Sequence, residues 1–156
     1  MNDFTAFDSI ELLDAESRYL IHKAKEAAAH AYAPYSKFHV GAALILSDGN
    51  LITGSNQENA SYPLCMCGER VALYAAAAQF PGVAIKRLAV VAFRKGQKNL
   101  VAATPCGACR QVLHEFEERQ KNPFPVIFFG PGDKWYQTGS ASALLPMAFD
   151  KAGLGH

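Results

Sequence analysis

From Ser9 to His30 the apolar residues Ile10, Leu13, Tyr19, Leu20, Ala24, Ala27 and Ala28 recur at helical spacing with charged residues between them, which predicts a first amphipathic helix. Pro34 prevents that helix from continuing. The period then changes. His39 to Leu46, the polar turn Ser47-Asp48-Gly49-Asn50 and the run Leu51 to Gly54 predict an antiparallel hairpin. Further along, Glu69 to Ala78 and Gly107 to Phe116 predict helices, and Leu88 to Phe93 and Val126 to Phe129 predict short apolar strands. Pro131-Gly132-Asp133 supplies a turn before a short strand expected at Trp135 to Thr138, and a last helix is expected to begin near Ser140. Lys95 to Asn99 and Arg119 to Pro123 interrupt the pattern and are the segments expected to be flexible.

Helices alternating with strands imply a three-layer α/β/α sandwich around a single mixed sheet, with the antiparallel hairpin at its start. The 156 residues, 50% of them hydrophobic, suffice for a single domain spanning 1–156. Charge narrows the partners. With 15 basic and 14 acidic residues, a net charge of +1 and no long like-charged run, the chain carries no broad electrostatic footprint for nucleic acid, so a small ligand fits better. The beginning Met1-Asn2-Asp3-Phe4 has no signal-peptide character, and no apolar run nears the roughly 18 residues of a membrane span. A cytoplasmic protein without membrane contact is expected, in which thiols stay reduced and serve either metal ligation or burial.

The four cysteines cluster in a way that favours metal. Leu64-Cys65-Met66-Cys67-Gly68-Glu69-Arg70 precedes one expected helix and Pro105-Cys106-Gly107-Ala108-Cys109-Arg110 opens another. Free amides and the positive end of the dipole at helix N-termini stabilise thiolates there. Cys106 and Cys109, one helical turn apart, can reach one ion at about 2.3 Å each. Such a pair alone also fits two buried or redox-active cysteines. Adding Cys67, with Glu69 two residues on, changes the weighing: three ligands leave the fourth position of a tetrahedral zinc open for water, and a carboxylate beside it accepts a proton. Three thiolates on Zn²⁺ leave one net negative charge, which Arg70 and the two helix ends are expected to offset. Cys65 is the rival ligand, and four thiolates would make a closed structural site; it is read instead as a small buried residue. The five histidines are scattered without ligand spacing.

This order of Cys, Glu and Pro-Cys-x-x-Cys resembles the signature of the zinc deaminases. The blocks Tyr32 to Ala43, Asn56 to Tyr62, Cys67 to Arg70, Pro105 to Gln111 and Leu144 to Phe149 extend the likeness over most of the chain, which resembles the small homotetrameric cytidine deaminase family. The resemblance implies a cytidine deaminase-like fold, a Zn²⁺ cofactor on Cys67, Cys106 and Cys109, and Glu69 as proton shuttle in the hydrolytic deamination of cytidine and deoxycytidine. It further implies that Phe38 packs on the pyrimidine, that Asn56 and Glu58 bond the ribose hydroxyls, and that Gly68 offers a backbone contact to the base. Ala60, Tyr62 and Phe149 would enter pockets of neighbouring subunits in a homotetramer. Three other readings stay open: a structural zinc module, a deaminase of bases in RNA or DNA, and an enzyme for another aminopyrimidine nucleoside.

Overall fold

The structure, a computed structural model, describes residues 3–155. In chain order the elements are β1 (Phe4–Phe7), α1 (Ala15–Ala28), β2 (Phe38–Leu46), β3 (Leu51–Ser55), α2 (Gly68–Gln79), β4 (Ile85–Arg94), α3 (Gly107–Gln120), β5 (Val126–Gly130) and β6 (Lys134–Thr138). The six strands form one sheet in the order β1-β6-β5-β4-β2-β3. Only β4 and β5 run parallel; the other pairs are antiparallel. α3 makes the crossover between the two parallel strands, which need such a connection to reach the same direction. The expected three-layer sandwich with a mixed sheet is thus observed.

The central strands explain the layering. Gly41 to Leu44 of β2 and Leu88 to Ala92 of β4 are buried along unbroken runs, as strands covered on both faces must be. Leu20, Ile21 and Ala24 of α1 pack with Ala43, Ala89, Val91 and Ile127 on one face. On the other, Ala72, Leu73 and Ala76 of α2 and Leu113 and Phe116 of α3 pack with Ala42, Leu44, Leu88 and Val90. Two glycines let the helices come this close. A Cβ at Gly41 would lie 1.9 Å from the Ala24 carbonyl oxygen of α1, and one at Gly54 would lie 2.5 Å from both Ala72 N and Gly68 O of α2.

Several expectations need correction. The first helix begins at Ala15, not Ser9, because Asp14 caps it by accepting from Ser17 N at 2.9 Å; Ile10–Leu12 form a separate 3-10 turn. β1 precedes the hairpin and has no counterpart among the expected strands; it pairs with β6 at the sheet edge. The last helix does not form. Ser142–Leu144 make one 3-10 turn, after which Leu145, preceding Pro146, takes φ −138° and ψ 82°, and Met147 has φ 53°. A residue before proline is driven out of the helical region, which ends the turn there. α3 also runs past Phe116, so Arg119 and Gln120 are helical, and the Gln120 side chain accepts from Ile85 N at 2.8 Å and donates to Ile85 O at 3.0 Å.

Glu117 is buried on α3 and holds two non-helical segments in place. Its carboxylate accepts from Phe124 N at 3.1 Å before β5, and from Ser140 Oγ, Ala141 N at 2.7 Å and Ser142 N at 3.2 Å after β6. Burial raises its pKa, but the bonds from Ser140, Ser142, Phe124 and Ala141 together outweigh burial and hold it below the usual carboxylate value. A carboxylate lowered in this way stabilises the fold above its unfolded pKa, and that stability is lost as pH falls through the folded value. Glu117→Ala strands the buried amides of Phe124 and Ala141, so a loss of about 3 kcal/mol in urea unfolding at neutral pH is expected. A mutant whose denaturation midpoint matched the parent's would refute this role.

Candidate metal centre and substrate cleft

Cys67 is the N-cap of α2 and Cys106 the N-cap of α3, so both sulfurs stand at helix ends with unpaired amides, and Cys109 follows within the first turn of α3. Cys106 Sγ accepts from Cys109 N at 3.5 Å. The loop before Cys106 is braced by Arg110, which donates from Nε to Pro105 O at 2.7 Å and from Nη1 to Leu144 O at 3.2 Å. Nothing in the spacing marks Arg110 for this role.

The three sulfurs of Cys67, Cys106 and Cys109 all lie within 4.8 Å of one another. Cys67 Sγ and Cys106 Sγ are 3.8 Å apart. Two sulfurs at opposite ends of a tetrahedral edge around zinc are separated by about 3.8 Å when each bond is about 2.3 Å. Cys65 is outside the cluster: it is half-buried, not buried as expected, and its Sγ accepts from Asn59 N at 3.2 Å. The set therefore has three thiols.

The Arg70 guanidinium reaches Cys67 Sγ, Nη2 to sulfur at 3.7 Å. Hydrogen bonding from Cys109, with further help from Arg70 and Cys106, outweighs burial and holds the Cys67 thiol down to about 5. Cys109, which shares that bond and lies among like charges, is shifted upward. Glu69 is 4% exposed, and its Oε2 has no hydrogen-bond partner. Burial pushes its carboxyl up to about 7, with the negative Cys67 adding to the rise. A buried oxygen without a partner is costly in a finished protein, and a water or substrate atom at the site would satisfy it. Three converging sulfurs, an arginine beside one of them and this orphaned oxygen fit a zinc ion.

A cleft of about 450 Å³ opens over these residues, lined among others by Phe38, Asn56, Glu58, Met66, Glu69 and Thr104. Its wall is laced by backbone: Tyr32 N donates to Asn56 O at 3.0 Å, Glu58 N to Tyr32 O at 2.8 Å, and Gln57 and Met66 exchange bonds at 2.9 and 2.8 Å. Asn56 is buried with both ends of its amide used on β2, Oδ1 accepting from Val40 N at 2.8 Å and Nδ2 donating to Phe38 O at 2.8 Å. Gly68 is buried at the start of α2 under β2, where a Cβ would meet Val40 O at 3.2 Å. Ala60, Tyr62 and Phe149 stand apart from the cleft floor and are exposed, Tyr62 at 69% and Phe149 at 62%.

Residues 14–122 match the family described as the cytidine and deoxycytidylate deaminase zinc-binding region. The chain belongs to this cytidine and deoxycytidylate deaminase family. It is similar to a cytidine deaminase of Sporosarcina psychrophila, 42% identical over 139 residues that cover 88% of this chain and 93% of the relative. One from Halalkalibacterium halodurans is 40% identical over 134 residues, covering 86% and 94%. Among solved structures, a cytidine deaminase of Burkholderia pseudomallei superposes with a TM-score of 0.69 at 42% identity, over 88% of this chain and all of that one. The Cys67, Cys106 and Cys109 cluster, close enough to hold a metal ion, thus stands in a member of the deaminase family. No helix among the described residues is long and apolar enough to cross a membrane.

Proposed function

We propose that the protein hydrolyses cytidine and deoxycytidine to uridine and deoxyuridine, releasing ammonia, as a zinc enzyme of pyrimidine salvage in the cytoplasm. The observation that carries this reading is the buried Glu69 with an unpartnered Oε2 in the cleft lined by Cys67 and Cys106, whose sulfurs lie with that of Cys109 close enough to share one ion. Zinc on Cys67, Cys106 and Cys109 supplies Lewis-acid activation of the attacking water when bound. Glu69 takes one proton from that water and gives it to ring N3, then takes the remaining proton from the hydroxyl added at C4 and gives it to the departing amino group. A C4–O bond forms, the C4–N bond breaks and ammonia leaves. A carboxyl raised toward neutrality suits a group that must both accept and return protons.

Phe38, half-buried in the cleft wall, offers apolar contact to the flat base, and Gly68 lies where its backbone faces the same region of β2 and α2. Glu58 accepts from the sugar hydroxyls, and Asn56, bonded on both sides to β2, keeps Phe38 in place while its Oδ1 retains a second lone pair for the ribose. The exposure of Tyr62 and Phe149 supports their reaching pockets of neighbouring subunits, with Ala60, in a homotetramer.

The deciding experiment assays ammonia release from cytidine, deoxycytidine, other aminopyrimidine nucleosides and a cytosine-containing oligonucleotide, alongside zinc per chain. Turnover of the two nucleosides at about one zinc per chain is the expected result. Activity confined to the oligonucleotide, or none with zinc bound, would overturn it.

A further inference from the structure

The turn before β2 connects two parts of the cleft that are far apart in sequence. Glu58 Oε2 accepts from Tyr35 N at 2.9 Å and from Ser36 N at 3.2 Å, and Ser36 Oγ donates to Glu58 Oε1. The same Ser36 oxygen accepts from Phe38 N at 3.1 Å. One hydroxyl therefore joins the carboxylate on one wall of the cleft to the backbone of the aromatic residue on the other. Lys37, between them, sits in the left-handed region at φ 57°, and is held there by its N donating to Ala33 O at 3.2 Å and its O accepting from Lys95 N at 2.8 Å. A non-glycine residue in that region persists only where its surroundings determine it, so the turn is a fixed device and not a loose loop.

We propose that Ser36 is a positioning residue that sets Glu58 and Phe38 in register with each other, so that sugar and base are received together. The inference rests on the reading that Glu58 meets the sugar hydroxyls. The Ser36 hydroxyl is one of the three donors on the Glu58 carboxylate, and its bond is the largest influence keeping that carboxyl below its ordinary value. Each Glu58 oxygen retains lone pairs for a hydroxyl after these bonds are made. Without the Ser36 hydroxyl, Oε1 loses its donor and Phe38 N its acceptor, so the carboxylate, held only at Oε2 by Tyr35 N and Ser36 N, pivots about that anchor and the start of β2 relaxes. Ser36 touches no reacting atom, and its loss removes binding common to the ground and transition states. That raises KM and leaves kcat nearly unchanged.

The test is a cycle of Ser36→Ala, Glu58→Gln and the double variant in the zinc-loaded enzyme, with Ser36→Thr as the conservative replacement. Ser36 is exposed, so the extra methyl has room. Expected are a rise in KM for cytidine of roughly three- to tenfold in Ser36→Ala and more in Glu58→Gln. The double variant falls short of the product of the two, Ser36→Thr restores KM, and kcat and zinc content move little in Ser36→Ala. If Glu58→Gln raises KM while Ser36→Ala does not, or if the two effects multiply, the positioning role is overturned and the sugar reading stands. If Glu58→Gln leaves KM unchanged, the sugar reading itself fails and takes the inference with it. A Ser36→Ala protein that loses kcat, zinc and thermal stability together has lost a structural residue, which also overturns the proposal.

Discussion

Replacing Glu69 by glutamine lowers kcat on cytidine by about three to four orders of magnitude while zinc per chain stays the same. The side chain keeps its shape and its buried place in the first turn of α2, so packing changes little. What disappears is the ability to take a proton and give it back. The amide has no proton to return, and no other carboxylate lines the cleft except Glu58, whose bonds tie it to the Tyr35-Ser36 turn. In free energy the loss is about 4 to 5.5 kcal/mol of transition-state stabilisation, appearing in kcat and kcat/KM alike. Stopped-time ammonia assays with metal analysis on the same sample read it directly. Near-normal turnover with zinc bound would remove Glu69 from the reaction.

The second large effect comes from a residue that touches no substrate. Gly54→Ala places a methyl 2.5 Å from Ala72 N and Gly68 O, and both are helix backbone that cannot swing aside as a side chain would. β3 and α2 must separate, at a cost of about 2 to 3 kcal/mol from overpacking. Because α2 begins with Cys67 at its cap and Glu69 in its first turn, the displacement reaches the metal centre, and a shift of the order of 1 Å there costs about a hundredfold in turnover. Expected are a lowered Tm, weaker zinc retention and reduced kcat in one variant. Gly139, where an added Cβ would meet nothing within 4 Å, is the matched control, and Gly139→Ala should leave all three near the parent's values. Equal behaviour of the two variants would refute the close-approach argument.

Each half of the three-cysteine cluster was readable in the sequence because its geometry is local, although the meeting of the two halves is not. Cys106 and Cys109 are fixed by one helical turn, and Cys67 and Glu69 by the start of another, so residue type and spacing carry most of the arrangement. The sheet was readable where strands are long and buried, as in β2 and β4. It was not readable at β1, where the four residues Phe4–Phe7 gain their strand character from partners such as Thr138 at the other end of the chain. The expected helix after Ser140 failed on Leu145 and Pro146, where a local rule outweighed the apolar pattern around it. Glu117 reads as a solvated helix residue until the Phe124 and Ser140–Ser142 backbones are brought to it in three dimensions. Ser36 and Glu58 likewise stand 22 residues apart, and nothing in either block announces the bond between them.

Cys67 and Cys106 stand 39 residues apart and cap different helices, so one ion held by both is a cross-link that the unfolded chain cannot offer. Folding and metal occupancy are then one linked equilibrium: above the dissociation constant, each tenfold rise in free zinc adds about 1.4 kcal/mol to stability. Thermal melts at stepped, buffered zinc activities should climb along that logarithmic line, and a flat series would show the ion to be energetically separate from the fold. With zinc held there as proposed, scarcity of a trace metal would act on this protein as a denaturant.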